Sequence, residues 1–109
     1  MRHSLLATLA ALLLLSGGCG PTAPLTVSEF KGFCYQIGEG RSASCDTIPL
    51  CDAYTQLMNT AQPSQKKCLA ECDAVYNTQA MAYALTDCQG PAHSARDWCL
   101  RYCQSNYPK

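Results

Sequence analysis

Charge is scarce in this chain and balanced: 15% of its 109 residues are charged and the formal net charge is zero. Domains that bind nucleic acid carry a basic excess, and Lys66-Lys67 with Arg96 and Arg101 are too few to make a basic patch, so that partner class is excluded. Catalytic motifs are missing as well. The chain has no H-E-x-x-H, no Gly-rich phosphate loop, no nucleophile-elbow serine and no C-x-x-C of the thiol oxidoreductases, and no cofactor is expected. The length leaves room for one small domain and excludes a multidomain enzyme. Large apolar side chains are also few. The sequence is 48% hydrophobic, but eleven of these residues lie within the first 18; from Cys19 onward, with Cys and Ala set aside, 21 large apolar residues remain. A core that thin needs covalent help.

That help is present as nine cysteines, the composition of a disulfide scaffold from an oxidising compartment. The N-terminus agrees. Arg2 and His3 precede the apolar run Leu5 to Leu15, and small residues follow at Ser16, Gly17 and Gly18, the layout of an export signal. The run is too short to span a bilayer core needing about 20 residues, so a retained membrane helix is the weaker alternative.

The segment Leu14-Leu15-Ser16-Gly17-Gly18-Cys19-Gly20 resembles the lipobox of bacterial lipoproteins, in which a signal peptidase cuts before a cysteine that carries lipid. It departs from the family pattern three residues before the cysteine, where Ser16 stands in place of Leu. Ser16 and Gly18 also fit the small-x-small rule of the ordinary signal peptidase, which would leave Cys19 as a plain N-terminal residue. Parity favours the lipobox: removing Cys19 to a lipid leaves eight cysteines, an even set. The resemblance implies a membrane partner reached through acyl chains on Cys19, enough of them for stable anchoring. Gly20 in the following place implies sorting to the outer membrane where the cell has one.

The domain expectation is therefore a signal peptide over 1–18, a lipid-anchored tether over 19–28, which contains Pro21 and Pro24 and no charge, and a cysteine-rich domain over 29–109. Its predicted class is all-α, with about three helices. Phe33, Tyr35 and Ile37 alternate, which fits a short strand before a turn at Gly38-Glu39-Gly40. From Pro49, Leu50, Tyr54, Leu57 and Met58 mark one face of a helix ended by Gln62-Pro63. A second helix starts near Ser64 with the stripe Cys68, Leu69, Cys72, Val75 and Tyr76, and Asn77 is its candidate stop; whether helix resumes to Leu85 is open. Gly90-Pro91 reads as a turn. Ser94-Ala95-Arg96-Asp97 matches a capping box opening a third helix, with Ala95, Trp98, Cys99, Tyr102 and Cys103 inward, and the chain is expected to fray from Asn106.

Cys68 with Cys72 and Cys99 with Cys103 share the spacing C-x3-C, which puts both sulfurs of a pair on one helix face. An antiparallel hairpin can be bolted twice, Cys68 to Cys103 and Cys72 to Cys99, because the residue numbers of both pairs sum to 171. One unbroken helix from Ser64 to Cys88 would instead set Cys99 against Met81. The arrangement resembles the paired C-x3-C hairpins of small exported and intermembrane-space proteins. Cys34, Cys45, Cys51 and Cys88 remain, with three possible pairings; the preferred one is Cys34 with Cys45 and Cys51 with Cys88. Four thiolates on two helices could hold zinc, but the export signal favours disulfides and no metal is expected.

His93, the one histidine after the signal, has Asp97 a helical turn away, although a polar residue at a helix start needs no catalytic explanation. Most aromatics are needed in the core; Tyr83 and Tyr107 are the ones expected exposed and available for binding. The function expected is that of an envelope lipoprotein acting as a binding or structural module on an envelope protein partner, without catalysis. The alternatives are an inhibitor or immunity-type lipoprotein that blocks an envelope enzyme, and a small thiol-disulfide enzyme.

Overall fold

The computed structural model describes residues 23–38 and 44–109. The expected signal peptide, Cys19, the start of the tether and most of the expected turn at Gly38-Glu39-Gly40 lie outside the described residues. The described residues form four helices: α1 (Val27–Tyr35), followed by a short 3₁₀ turn at Gln36–Gly38, α2 (Thr47–Met58), α3 (Gln65–Ala82) and α4 (Gln89–Asn106). Among the described residues there is no strand, and the domain is all-α.

The first helix corrects two expectations. Thr26 caps α1 through a complete capping box: its Oγ1 accepts from the Glu29 N–H at 3.1 Å, and Glu29 Oε2 accepts from the Thr26 N–H at 2.8 Å. Leu25 to Ser28, expected in the tether, therefore belong to the domain. The alternation of Phe33, Tyr35 and Ile37 does not make a strand. The working period is helical: Phe30 and Cys34, four apart, are fully buried, and Ile37 packs beside them.

Asp46 caps α2, which starts two residues before Pro49; a proline is tolerated there because the first N–H groups of a helix have no intrahelical partner. Leu50, Tyr54, Leu57 and Met58 are buried as the periodicity predicts, with Cys51 beside them. Phe30 meets Tyr54 edge to face at 6.0 Å, and the Tyr102 hydroxyl donates to the Met58 carbonyl at 3.0 Å.

Ser64 caps α3 as expected, accepting from the Lys67 N–H at 3.1 Å. Asn77 does not stop the helix. It continues six residues past Tyr76 because Gln79 turns inward and its Nε2 donates to the Leu50 carbonyl at 2.7 Å. Nor is Gly90-Pro91 a turn or Ser94 a cap: both lie inside α4, where Pro91 occupies the tolerant first turn. The connection is Tyr83 to Cys88, closed by Thr86 N–H to Tyr83 O at 3.1 Å and Gln89 N–H to Thr86 O at 3.3 Å.

α4 packs on all three other helices and most extensively on α3. Its end does not fray. Ser105 Oγ accepts from the Leu25 N–H at 3.0 Å, and Asn106 Nδ2 donates to the Leu25 carbonyl at 2.8 Å. Tyr107 accepts at its hydroxyl from the Gln62 N–H (3.0 Å) and at its carbonyl from Gln65 Nε2 (2.9 Å). The start of the domain and the α2–α3 link are both fastened to the end of α4.

Candidate functional site

Four disulfides join the eight cysteines of the described residues. Cys68–Cys103 and Cys72–Cys99 bolt α3 to α4 with Cα separations of 5.6 and 5.9 Å, the pairing expected from C-x3-C. Both pairs centre between Leu85 and Thr86, the middle of the observed turn. Cys72 lies ten residues before the end of α3, and Cys99 ten after the start of α4, so the sulfurs meet at equal heights of about 15 Å from the turn. The two bridges touch, Cys72 Sγ being 3.5 Å from Cys103 Sγ, and Cys72, Cys99 and Cys103 cluster as three metal ligands would. All four sulfur-bearing residues are fully buried and oxidised, and a disulfide sulfur lacks the thiolate charge that zinc binding uses.

The other four cysteines pair differently from the expectation. Cys34 joins Cys51, and Cys45 joins Cys88. The reason lies in α1: once this segment is helical, Cys34 faces the same core as Cys51 on α2, and the two Cα atoms come within 5.9 Å. Cys45, just before the Asp46 cap, is then left beside the turn before α4, where Ser44 also hydrogen-bonds Asp87. The Cys34–Cys51 bridge thus joins helices that packing has already brought together, and the Cys45–Cys88 bridge ties the start of α2 to the turn before α4.

His93 stands on the exposed side of α4 and reaches Tyr76 on α3, with Tyr76 Oη 2.8 Å from its Nε2. Among the described residues no hydrogen bond or ion pair joins His93 to Asp97. Arg96 lies 5.3 Å above the Tyr76 ring and pairs with Asp73 at 2.7 Å, which holds its guanidinium more firmly in the charged form. Each partner satisfies another, and the cluster reads as an interhelical polar contact. Beneath it, the Tyr54 hydroxyl is buried without a partner among the described residues, and burial pushes its phenol far above the ordinary tyrosine range.

Tyr83 and Tyr107 are both half-buried and packed against the core, so neither is the exposed aromatic expected. Among the described residues the exposed large apolar side chains are Phe33 (45%), Ile48 (55%), Met81 (85%) and Leu85 (101%). Met81 and Leu85 belong to a stretch of residues 74–86 without a single charge, a signal that could have marked the turn as an apolar tip. Phe33 stacks on Trp98 with ring centroids 4.4 Å apart, and Arg101 sits 4.7 Å over the Trp98 ring. Trp98 and Arg101 also line a shallow groove of about 360 Å³ with Ala23, Leu25, Gln104 and Ser105. A wider groove of about 970 Å³ lies between the start of α3 and the chain end, with Lys66, Leu69 and Tyr107 among its walls. The described chain thus offers open grooves and an aromatic surface around Trp98. Comparison of the chain with protein-family models, with curated proteins and with solved structures finds no match.

Proposed function

We propose that the protein is a lipoprotein of a bacterial envelope, held to the membrane through lipid on Cys19, whose domain works by binding or as a structural element rather than by catalysis. Cysteine parity carries this reading. The eight cysteines of the described residues pair with one another, so none of these four bridges uses the ninth cysteine of the sequence, Cys19. It is also the cysteine that ends the lipobox-like segment. Burial supports the non-catalytic part: Cys68, Cys72, Cys99 and Cys103 have no exposed surface, so an incoming thiolate has no line of attack on the hairpin bridges.

The test is metabolic labelling with a fatty acid in the native host, followed by fractionation. The wild-type chain takes up label and sediments with membranes. The Cys19→Ala variant takes up none and is released, because Ser16 and Gly18 still permit ordinary cleavage. A wild-type chain that takes no label overturns the reading.

A further inference from the structure

We infer that the face formed by Leu25, Phe33, Trp98 and Arg101 seats the anchored domain on the bilayer surface, with the aromatic rings in the interfacial layer. The inference rests on the lipid anchor proposed for Cys19. It starts from where the chain enters the fold. Leu25 is held at both its N–H and its carbonyl by Ser105 and Asn106, so its place on the last turn of α4 is fixed. Cys19 lies six residues earlier, and a chain spans at most about 3.5 Å per residue, so lipid on Cys19 is within about 21 Å of Leu25. Whatever surrounds Leu25 is held within about 21 Å of the membrane.

What surrounds it is the chemistry of a membrane interface. The groove beside Leu25 is walled by Trp98 and Arg101, and Phe33 extends the same surface by stacking on Trp98 while leaving 45% of itself exposed in a protein short of core residues. Trp is favoured at the headgroup level because its ring is apolar and its N–H polar, and Arg reaches from an apolar surface to phosphate. Charge does not choose the surface: Arg101 has Asp97 one turn before it on α4, Glu29, whose carboxylate is engaged with the Thr26 N–H, lies one turn before Phe33 on α1, and Lys31 points away to pair with Asp52 on α2 at 3.9 Å. The seat is therefore interfacial rather than electrostatic, and forms on zwitterionic lipid. The Met81 and Leu85 turn is excluded as the seat, because it lies at the other end of α4, about 24 Å of helix from Ser105.

Trp98 is the single tryptophan, so its fluorescence reports this face alone. The full lipidated chain is reconstituted in phosphatidylcholine vesicles, and the Cys19→Ala chain is kept in solution. Lipid seating predicts that iodide quenches anchored Trp98 several-fold less than Trp98 of the soluble variant, and that lipid brominated high on the acyl chain quenches the anchored form. Phe33→Ser, at an exposed position, restores iodide quenching while the chain stays on the vesicles. Vesicle-bound wild type whose Trp98 is as open to iodide as in the soluble variant overturns the seat and leaves the anchor standing; the groove then belongs to a protein partner or to residues 20–22. A wild-type chain that does not associate with vesicles overturns the anchor and the seat together.

Discussion

The two ends of the α3–α4 hairpin are built on different terms. At the open end, the start of the domain, the α2–α3 link and the chain end converge, and side chains of Ser105, Asn106, Gln65 and Tyr107 tie them together. Two fully buried disulfides lie just inside that end. At the turn, Cys88 precedes α4 without giving it a side-chain cap, Met81 and Leu85 stand in solvent, and one bridge, Cys45–Cys88, holds the connection to α2. The open end is ordered by packing that disulfides then lock; the turn is held mainly by a disulfide laid over sparse packing.

Removing bridges breaks this comparison most directly. Loop closure alone ranks the bridges nearly equal, since the Cys45–Cys88 loop of 43 residues is longer than the Cys72–Cys99 loop of 27 and the dependence on length is logarithmic. Burial separates them. Cys72→Ala with Cys99→Ala leaves a cavity at a site with no exposure and is expected to cost about 3–5 kcal/mol, against about 2 kcal/mol for Cys45→Ala with Cys88→Ala. Urea unfolding of both double variants measures the gap. Equal losses would mean that chain entropy alone sets the value of a bridge here.

Between the two ends, Tyr54 buries a hydroxyl that finds no partner among the described residues. Replacing it with Phe removes an unsatisfied donor and is expected to raise stability at neutral pH by about 1 kcal/mol. The pH dependence follows from the raised phenol. Because the folded pKa lies above the ordinary 10.0, the folded state holds the proton more tightly than the unfolded chain. The favourable contribution is complete below pH 10 and is lost as pH rises beyond it. Thermal midpoints of the wild type should fall more steeply above pH 10 than those of Tyr54→Phe. A destabilising Tyr54→Phe would show that the hydroxyl has a partner in solution.

The smallest effect belongs to the turn. Leu85→Ser, at a side chain wholly in water, should change unfolding free energy by less than about 0.5 kcal/mol. A larger loss would show that the tip packs against something in the isolated domain.

Much of the hairpin was legible in the sequence, partly through errors that cancelled. The Ser64 cap and the α2 face follow from local rules, and α2 needed no tertiary information. The hairpin disulfides follow from symmetric spacing, and that symmetry survived misplacing both helix ends: α3 runs six residues beyond Tyr76 and α4 begins six before Ala95, so the midpoint did not move. Asn77 and Gly90-Pro91 carry local stop signals that lose to tertiary contacts, the Gln79 bond to Leu50 and the α4 packing. α1 was illegible for a different reason. Its capping box, Thr26 to Glu29, lies in a charge-poor, proline-containing stretch that reads as tether. Missing α1 also hid the Cys34–Cys51 pairing and the exposed Phe33 on Trp98, which depends on placing α1 against α4.

Everything proposed for this chain depends on how its nine cysteines divide between lipid and bridges. Intact mass of the protein taken from its own membranes, before and after reduction, tests this most directly. The expected mass is that of a chain that begins at Cys19, carries the acyl chains, and gains eight hydrogens on reduction, two for each of the four bridges. A chain with unmodified Cys19, or a gain other than eight, contradicts it.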